Sequence, residues 1–317
     1  METVPPPAAA GKDFLSILDL SHAELIRLLD LAAQMKAERP LGRGASTSRV
    51  LDGLHVALLF EKPSLRTRST FEIAIRELGG ETLHLPSEFA EGTREPLEDV
   101  ARNLERWVKG LVIRTYAQEK AVTLANAAPA LHVINALSDE QHPCQALADV
   151  MTLREHWGAL KGRTVAYVGD GNNVATSLAH AAVMLGANVH VATPPGYALP
   201  PQIVEEVKGL ARDGATLRLF TDPRQAVAGA DAIYTDVWTS MGQEREAVKR
   251  RRVFADFQVN GPLMQAATPG AIFMHCLPAH RGEEVSAEVF ESRQSVVFDQ
   301  AENRLHTQKA LLMMLLS

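Results

Sequence analysis

The stretch FEKPSLRTRSTFE, residues 60–72, follows an apolar run and gathers Arg66, Arg68, Ser64 and Thr67 at what reads as a helix start, opened by Ser64 or Pro63. Free backbone N–H groups and the helix dipole point out of such an end. Arginines are disfavoured there because like potentials repel, unless an anion sits between them. A guanidinium fork matches phosphate oxygens two at a time, and Ser64 and Thr67 add donors. The plainer alternative is a surface helix start whose arginines pair with Glu61, Glu72 or a core carboxylate. Arg68 faces away from Arg66 on a helix and reads as the structural member of the pair. No G-x-x-x-x-G-K-[ST] occurs, and GDGNN at 169–173 lacks the third glycine of a dinucleotide turn. A tight strand-to-helix turn capped by Asn172 or Asn173 explains it equally well.

Four other segments carry chemistry-bearing residues. HPCQALAD at 142–149 places His142 and Gln145 one helical turn apart, on one face. A histidine can donate to a developing oxyanion, and a glutamine can hold an amide by both ends. The alternative is a helix cap and a buried polar network, with Asp149 structural. HCLPAHRGEE at 275–284 offers His275, Cys276 and His280. A metal fails on count, since there is no C-x-x-C or H-E-x-x-H. Cys276 could be a nucleophile, an amine contact or a plain buried thiol, and LPAHRG is expected to stay extended. In TDVWTSMGQE at 235–244, Asp236 suits an ammonium and the Ser240–Met241 backbone a carboxylate; a cap followed by a loop is the bland reading. Arg304, expected in the first turn of a terminal helix, either faces the same ligand or pairs with Glu302.

These segments share one position: each follows an apolar strand. LHVALLF, GLVIR, LHVIN, TVAYVG, AIYTD and AIFMH precede them, and SVVF at 295–298 reads as a last strand. Amphipathic helices lie between, near 97–108, 118–127, 173–185, 201–212 and 243–256. This β-α alternation implies parallel sheets covered by helices on both faces. The fold class is α/β, two doubly wound domains joined by a bridging helix at 142–157. Ligands in such sheets gather at strand carboxyl ends, so the six ends are expected to serve one cleft.

Bulk properties agree. The chain has 317 residues, 46% of them apolar, with a net charge of −6. Two domains with large cores are expected, and nucleic acid and membrane are not expected partners. KRRR at 249–252 reads as a solvated helix face. Cys144 and Cys276 with no secretory signal suggest a reducing compartment, the cytoplasm. METVPPPAAAGKD reads as a loose tail, and ALLMMLL as the buried face of a terminal helix, too short for a bilayer.

Together FEKPSLRTRSTFE, HPCQALAD, VGDGNN, DVWTSMGQE, MHCLPAHRGEEV and AENR resemble the aspartate/ornithine carbamoyltransferase family over essentially the whole chain after the tail. S-x-R-T-R with H-P-x-Q marks the family; S-M-G with H-C-L-P resembles its ornithine branch. The resemblance implies a flexible tail at 1–12, a carbamoyl phosphate domain at 13–141 plus 300–317, the bridging helix at 142–157 and an ornithine domain at 158–299. It implies that Ser64, Leu65, Arg66 and Thr67 hold phosphate, with Arg304 reaching the phosphate or the carbonyl. Arg114, His142 and Gln145 would hold the carbamoyl group. Cys276 and Leu277 would face it and the reacting amine, and Asn173, Asp236, Ser240 and Met241 would hold ornithine. Arg66, Arg114, His142 and Cys276 are the implied catalytic set, with no metal or organic cofactor, in a homotrimer or multiple of trimers. Readings still open are another amine acceptor, such as putrescine, and a non-catalytic phosphometabolite sensor. The chain departs from the pattern in two places. Leu65 stands where threonine is usual, and the 87–96 loop lacks the glutamine or histidine that reaches a neighbouring subunit.

Overall fold

A computed structural model describes residues 11–91, 94–240, 242 and 244–317. The chain divides into two units, residues 1–148 with 303–317, and residues 149–302. In the first, α1 (His22–Glu38) precedes β1 (His55–Phe60), α2 (Leu65–Glu77), β2 (Glu81–Leu85), α3 (Leu97–Leu104), β3 (Gly110–Arg114), α4 (Gln118–Ala127) and β4 (His132–Leu137). Then α5 (Pro143–Trp157) crosses the division. The second unit holds β5 (Thr164–Val168), α6 (Asn173–Met184), β6 (Asn188–Ala192), α7 (Pro201–Leu210), β7 (Leu217–Phe220), α8 (Pro223–Val227) and β8 (Ala232–Thr235). It continues through α9 (Ala247–Val253), α10 (Gly261–Gln265), β9 (Ile272–His275) and α11 (Ala287–Phe290). Finally α12 (Val297–Leu316) crosses back.

The sheets run β2-β1-β3-β4 and β7-β6-β5-β8-β9, and every strand pairing in them is parallel. Strands buried on both faces explain the continuous apolar runs: Val56–Leu59 and Val165–Val168 are fully buried. Each order reverses direction once, between β1 and β3 in the first sheet and between β5 and β8 in the second. Carboxyl ends of strands at such a reversal are where open parallel sheets bind ligands.

The start of the described chain extends the first sheet: Phe14 bridges to Ile134, with its N–H donating to the Val133 carbonyl at 2.9 Å. At the other end, Ala310–Leu316 are all at most 6% exposed, so the final apolar run is core. Among the described residues, no helix is long and apolar enough to cross a membrane.

Three expectations are corrected. SVVF is not a strand: only Ser295 bridges, to Phe273, and α12 begins at Val297. Its apolar residues are the first turn of a helix, where a short run cannot be told from a strand by periodicity. Arg304 is therefore about two turns inside α12, not in its first turn. The helix expected near 243–256 is a helix of seven residues, α9, flanked by short 3-10 turns at Glu244–Glu246 and Ala255–Phe257.

Candidate active site

In the first unit, Phe60 lies opposite Arg114 across β1 and β3, so the residues after both strands emerge at the reversal point of that sheet. Ser64 has extended backbone and caps α2, its Oγ accepting from the Thr67 N–H at 3.2 Å. The cap orders a first turn whose N–H groups an α-helix cannot satisfy internally. Leu65 is 77% exposed, so its side chain reaches water and an anion could use only its backbone. Arg68 points elsewhere, to Glu72 Oε1 at 3.2 Å and His84 Nδ1 at 3.0 Å, the structural role expected of it.

Arg304 ties α12 to two other helices of this unit. Its Nη2 donates to Thr67 Oγ1 at 2.6 Å and its Nη1 to Gln145 Oε1 at 2.9 Å, all three side chains being buried. Arg304 is 2% exposed, so it is not the surface arginine that the alternative reading supposed. With Thr67 Oγ1 accepting from Arg304, the Thr67 hydroxyl proton can be directed at a ligand. Gln145 Oε1 accepts from Arg304 and has a second lone pair, and this bond fixes the orientation of the amide.

His142 immediately precedes α5, and its carbonyl accepts the first helical bonds, from Gln145 and Ala146. Pro143 then occupies a position that needs no donor. The imidazole is buried. Burial pushes its pKa well below the usual histidine range, and the nearby Arg304, Arg114, Lys62 and Arg66 charges push it further. At neutral pH it is an uncharged donor, suited to a carbonyl oxygen that gains charge. Sequence reasoning missed Lys62. It is 3% exposed, bonded to Asp139 Oδ1 at 2.5 Å, with Nζ 4.2 Å from the Tyr116 ring centroid. Its signal was available: a lysine two residues past a buried strand, beside Ser64. Glu61, left open as a partner for the arginines, is taken by Lys120 at 2.5 Å and by Thr115. A separate cavity of about 950 Å³, lined by Arg39, Arg49, Arg76 and Lys309 among others, contains none of the expected site residues.

In the second unit, the turn after β5 and the segment after β8 emerge side by side. Asn172 caps α6: its Oδ1 accepts from the Val174 and Ala175 N–H groups and from the Tyr167 hydroxyl. Its Nδ2 donates to Asp236 Oδ2 at 2.9 Å. Gly171 is required here, because a Cβ would lie 2.6 Å from the Leu199 nitrogen. Asn173 is the first residue of α6 and Ser240 is half-buried after β8. Met241 lies outside the described residues. Asp236 is 7% exposed, and its other oxygen accepts from the Cys276 thiol at 2.9 Å. Cys276 follows β9, the neighbour of β8. Leu277 has a left-handed backbone (φ 61), so the chain turns sharply after Cys276; LPAHRG is not extended there. Asp149, read as structural, accepts from Gln300 at 2.7 Å.

Asp236, His275 and Cys276 place one ligand-type atom each within 4.8 Å of one another. His275 Nδ1 accepts from the Leu277 N–H at 2.8 Å, and its Nε2 faces Glu284 Oε1 at 3.1 Å. Both ring nitrogens are engaged in holding the turn, so His275 is a poor ligand here. The arrangement suits an ammonium facing a carboxylate and a thiol better than a metal ion.

One unit thus presents cations, helix N–H groups and a neutral imidazole; the other presents a buried carboxylate, a thiol and an amide cap. The carbamoyl phosphate-binding domain model of the aspartate/ornithine carbamoyltransferases matches residues 12–155, and the Asp/Orn-binding domain model matches 161–315. An ornithine carbamoyltransferase of Acidothermus cellulolyticus is 50% identical over 96% of both chains, and one of Thermococcus kodakarensis is also 50% identical over 96% of each. A solved structure of the Pyrococcus furiosus ornithine carbamoyltransferase is 48% identical over 97% of both chains, with a TM-score of 0.92. Two domain-model matches that together cover nearly the whole length, and relatives about 50% identical across it, leave one assignment: the chain belongs to the aspartate/ornithine carbamoyltransferase family.

Proposed function

We propose that the protein transfers the carbamoyl group of carbamoyl phosphate to the δ-amine of L-ornithine, giving L-citrulline and phosphate. The observation that carries this reading is the division of chemistry between the sheets. The charges of Arg304, Arg114, Lys62 and Arg66 act on a neutral His142 in one unit, and the other unit holds Asp236 bonded to Cys276 and Asn172. Ser64, the Leu65 backbone, Arg66 and Thr67 hold the phosphate, with Arg304 beside them. Arg114, His142 and Gln145 hold the carbamoyl group, Cys276 and Leu277 line the approach of the amine, and Asn173, Asp236, Ser240 and Met241 hold the amino-acid end.

A free δ-amine has a pKa of about 10.4, and a cation-lined site favours its neutral form. The amine nitrogen attacks the carbonyl carbon and a C–N bond forms. Arg114, His142 and Thr67 stabilise the oxyanion. The oxyanion then re-forms the carbonyl, the bond between its carbon and the phosphate oxygen breaks, and the departing phosphate, balanced by Arg66, carries away the amine proton. Alignment and electrostatics supply the acceleration, without a covalent enzyme intermediate, metal or organic cofactor. The reaction belongs in arginine metabolism, in the cytoplasm, and we assign it to a homotrimer. The test is citrulline formation by the purified protein with both substrates. Turnover with putrescine matching that with ornithine would overturn the choice of acceptor. Ornithine-independent phosphate binding with no product would overturn the enzyme itself.

A further inference from the structure

The basic run at 249–252 is not a uniformly solvated face. Lys249, Arg251 and Arg252 are exposed, but Arg250 is 6% exposed. A buried arginine is costly unless it is paired, and Arg250 is paired in a pattern that selects two segments. Its Nη1 donates to Asp170 Oδ2 at 2.6 Å and to the Trp238 carbonyl at 2.9 Å. Its Nε donates to Glu246 Oε2 at 3.1 Å, one helical turn back. The ring of Tyr197 lies 5.0 Å from the guanidinium carbon. Asp170 belongs to the turn after β5 that carries Asn172 and Asn173. Trp238 belongs to the segment after β8 that runs from Asp236 to Ser240. One guanidinium nitrogen therefore holds both halves of the amino-acid site together.

The charges point the same way. Two carboxylates, Asp170 and Asp236, lie at this reversal point, and Asn172 bonds to Asp236. Burial raises the Asp170 pKa and Arg250 opposes that rise, while the Asp236 charge adds to it. Arg250 thus neutralises Asp170 and leaves Asp236 as the carboxylate open to a substrate cation.

We propose that Arg250 is a positioning residue for the α-amino and carboxylate end of the substrate: it pins residues 236–240 to the 169–173 turn and keeps Asp170 out of competition with Asp236. The assignment rests on the amino-acid acceptor proposed above.

The test compares Arg250→Met, Arg250→Lys and the double variant Arg250→Met/Asp170→Asn with the parent protein. For Arg250→Met the KM for ornithine rises about 10- to 100-fold, the cost of a displacement on the order of 1 Å, while the KM for carbamoyl phosphate stays within about twofold. L-Norvaline, which has the α-amino and carboxylate groups without the δ-amine, loses affinity by the same factor in titrations with carbamoyl phosphate present. Arg250→Lys restores melting temperature more than ornithine KM, because one ammonium replaces the fork. The double variant removes the uncompensated carboxylate, so it keeps near-parental melting temperature and the raised KM. An ornithine KM within threefold of the parent in Arg250→Met overturns the proposal, as does an equal rise in both substrates' KM. Recovery of the parental KM in the double variant overturns the pinning. If the parent forms no citrulline, the acceptor assignment fails, and norvaline affinity still decides the role of Arg250.

Discussion

Arg304 offers the sharpest test of how the proposed phosphate end is built. Arg304→Met keeps the length of the side chain and removes two charge-assisted hydrogen bonds, to Thr67 Oγ1 and Gln145 Oε1. Both acceptors are about 1% exposed, so water cannot replace the lost donors. A hydrogen bond to a charged group is worth about 1.5–3 kcal/mol, so the variant loses roughly 3–6 kcal/mol of stability. That is a large part of the 5–15 kcal/mol typical of a folded domain. Arg304→Lys retains the charge and one donor and should lose about half as much. Urea unfolding followed by tryptophan fluorescence measures both, with the parental m-value as a check that the unfolded state is unchanged. The KM for carbamoyl phosphate rises alongside, because Thr67 and Gln145 are no longer held. If Arg304→Met costs less than about 1 kcal/mol, the two bonds do not hold the helices as described. Equal stability of the methionine and lysine variants would refute the argument from donor geometry.

Three further outcomes follow from the site. Arg66→Ala should lower kcat/KM by about 10²–10⁴-fold with little change in melting temperature, because the half-buried side chain serves the ligand more than the core; near-parental turnover at saturating substrate removes Arg66 from the reaction. His142 is depressed by burial and neighbouring cations, so below pH about 6.5 the unfolded chain takes up a proton that the folded chain refuses. Stability therefore falls as pH drops from there towards the folded-state pKa, by up to about 1.4 kcal/mol per pH unit for one proton. His142→Gln removes its share of that slope, leaving the shares due to His132 and His180, whose pKa values are also lowered by desolvation; an unchanged slope in His142→Gln places the titration elsewhere. Cys276→Ser keeps a donor to Asp236 but changes its size and polarity, so ornithine KM rises and catalysis persists; a trapped carbamoyl thioester on Cys276 would replace direct transfer by a two-stage route.

Much of this was legible in the sequence because the governing signals are local. Buried parallel strands give uninterrupted apolar runs, and the residues that follow them are conspicuous because they are polar where the run stops. Ser64 and Asn172 could be read as caps, and both cap helices. What stayed hidden depends on distant partners. Nothing near Arg304 in sequence tells it from a surface arginine, since its acceptors lie 237 and 159 residues away. Arg250 sits in a run of like charges, and the carboxylate that buries it is 80 residues earlier. SVVF misleads because a four-residue apolar run fits a strand and a helix turn equally; only the long helix continuing from it decides.

The crossing of α12 from the second unit into the first bears on how the chain is made. Residues 1–148 leave the ribosome before the closing segment, Asn303–Ser317, exists. At about 5–20 residues per second, synthesis of the stretch 149–302 takes roughly 8–30 s. For that interval the nascent first unit lacks the guanidinium that Thr67 and Gln145 accept from and the apolar helix end that fills its interior. The end proposed to hold the phosphate is thus completed last, after its companion unit has been translated, and ribosome-bound chains halted before residue 303 should bind phosphate poorly.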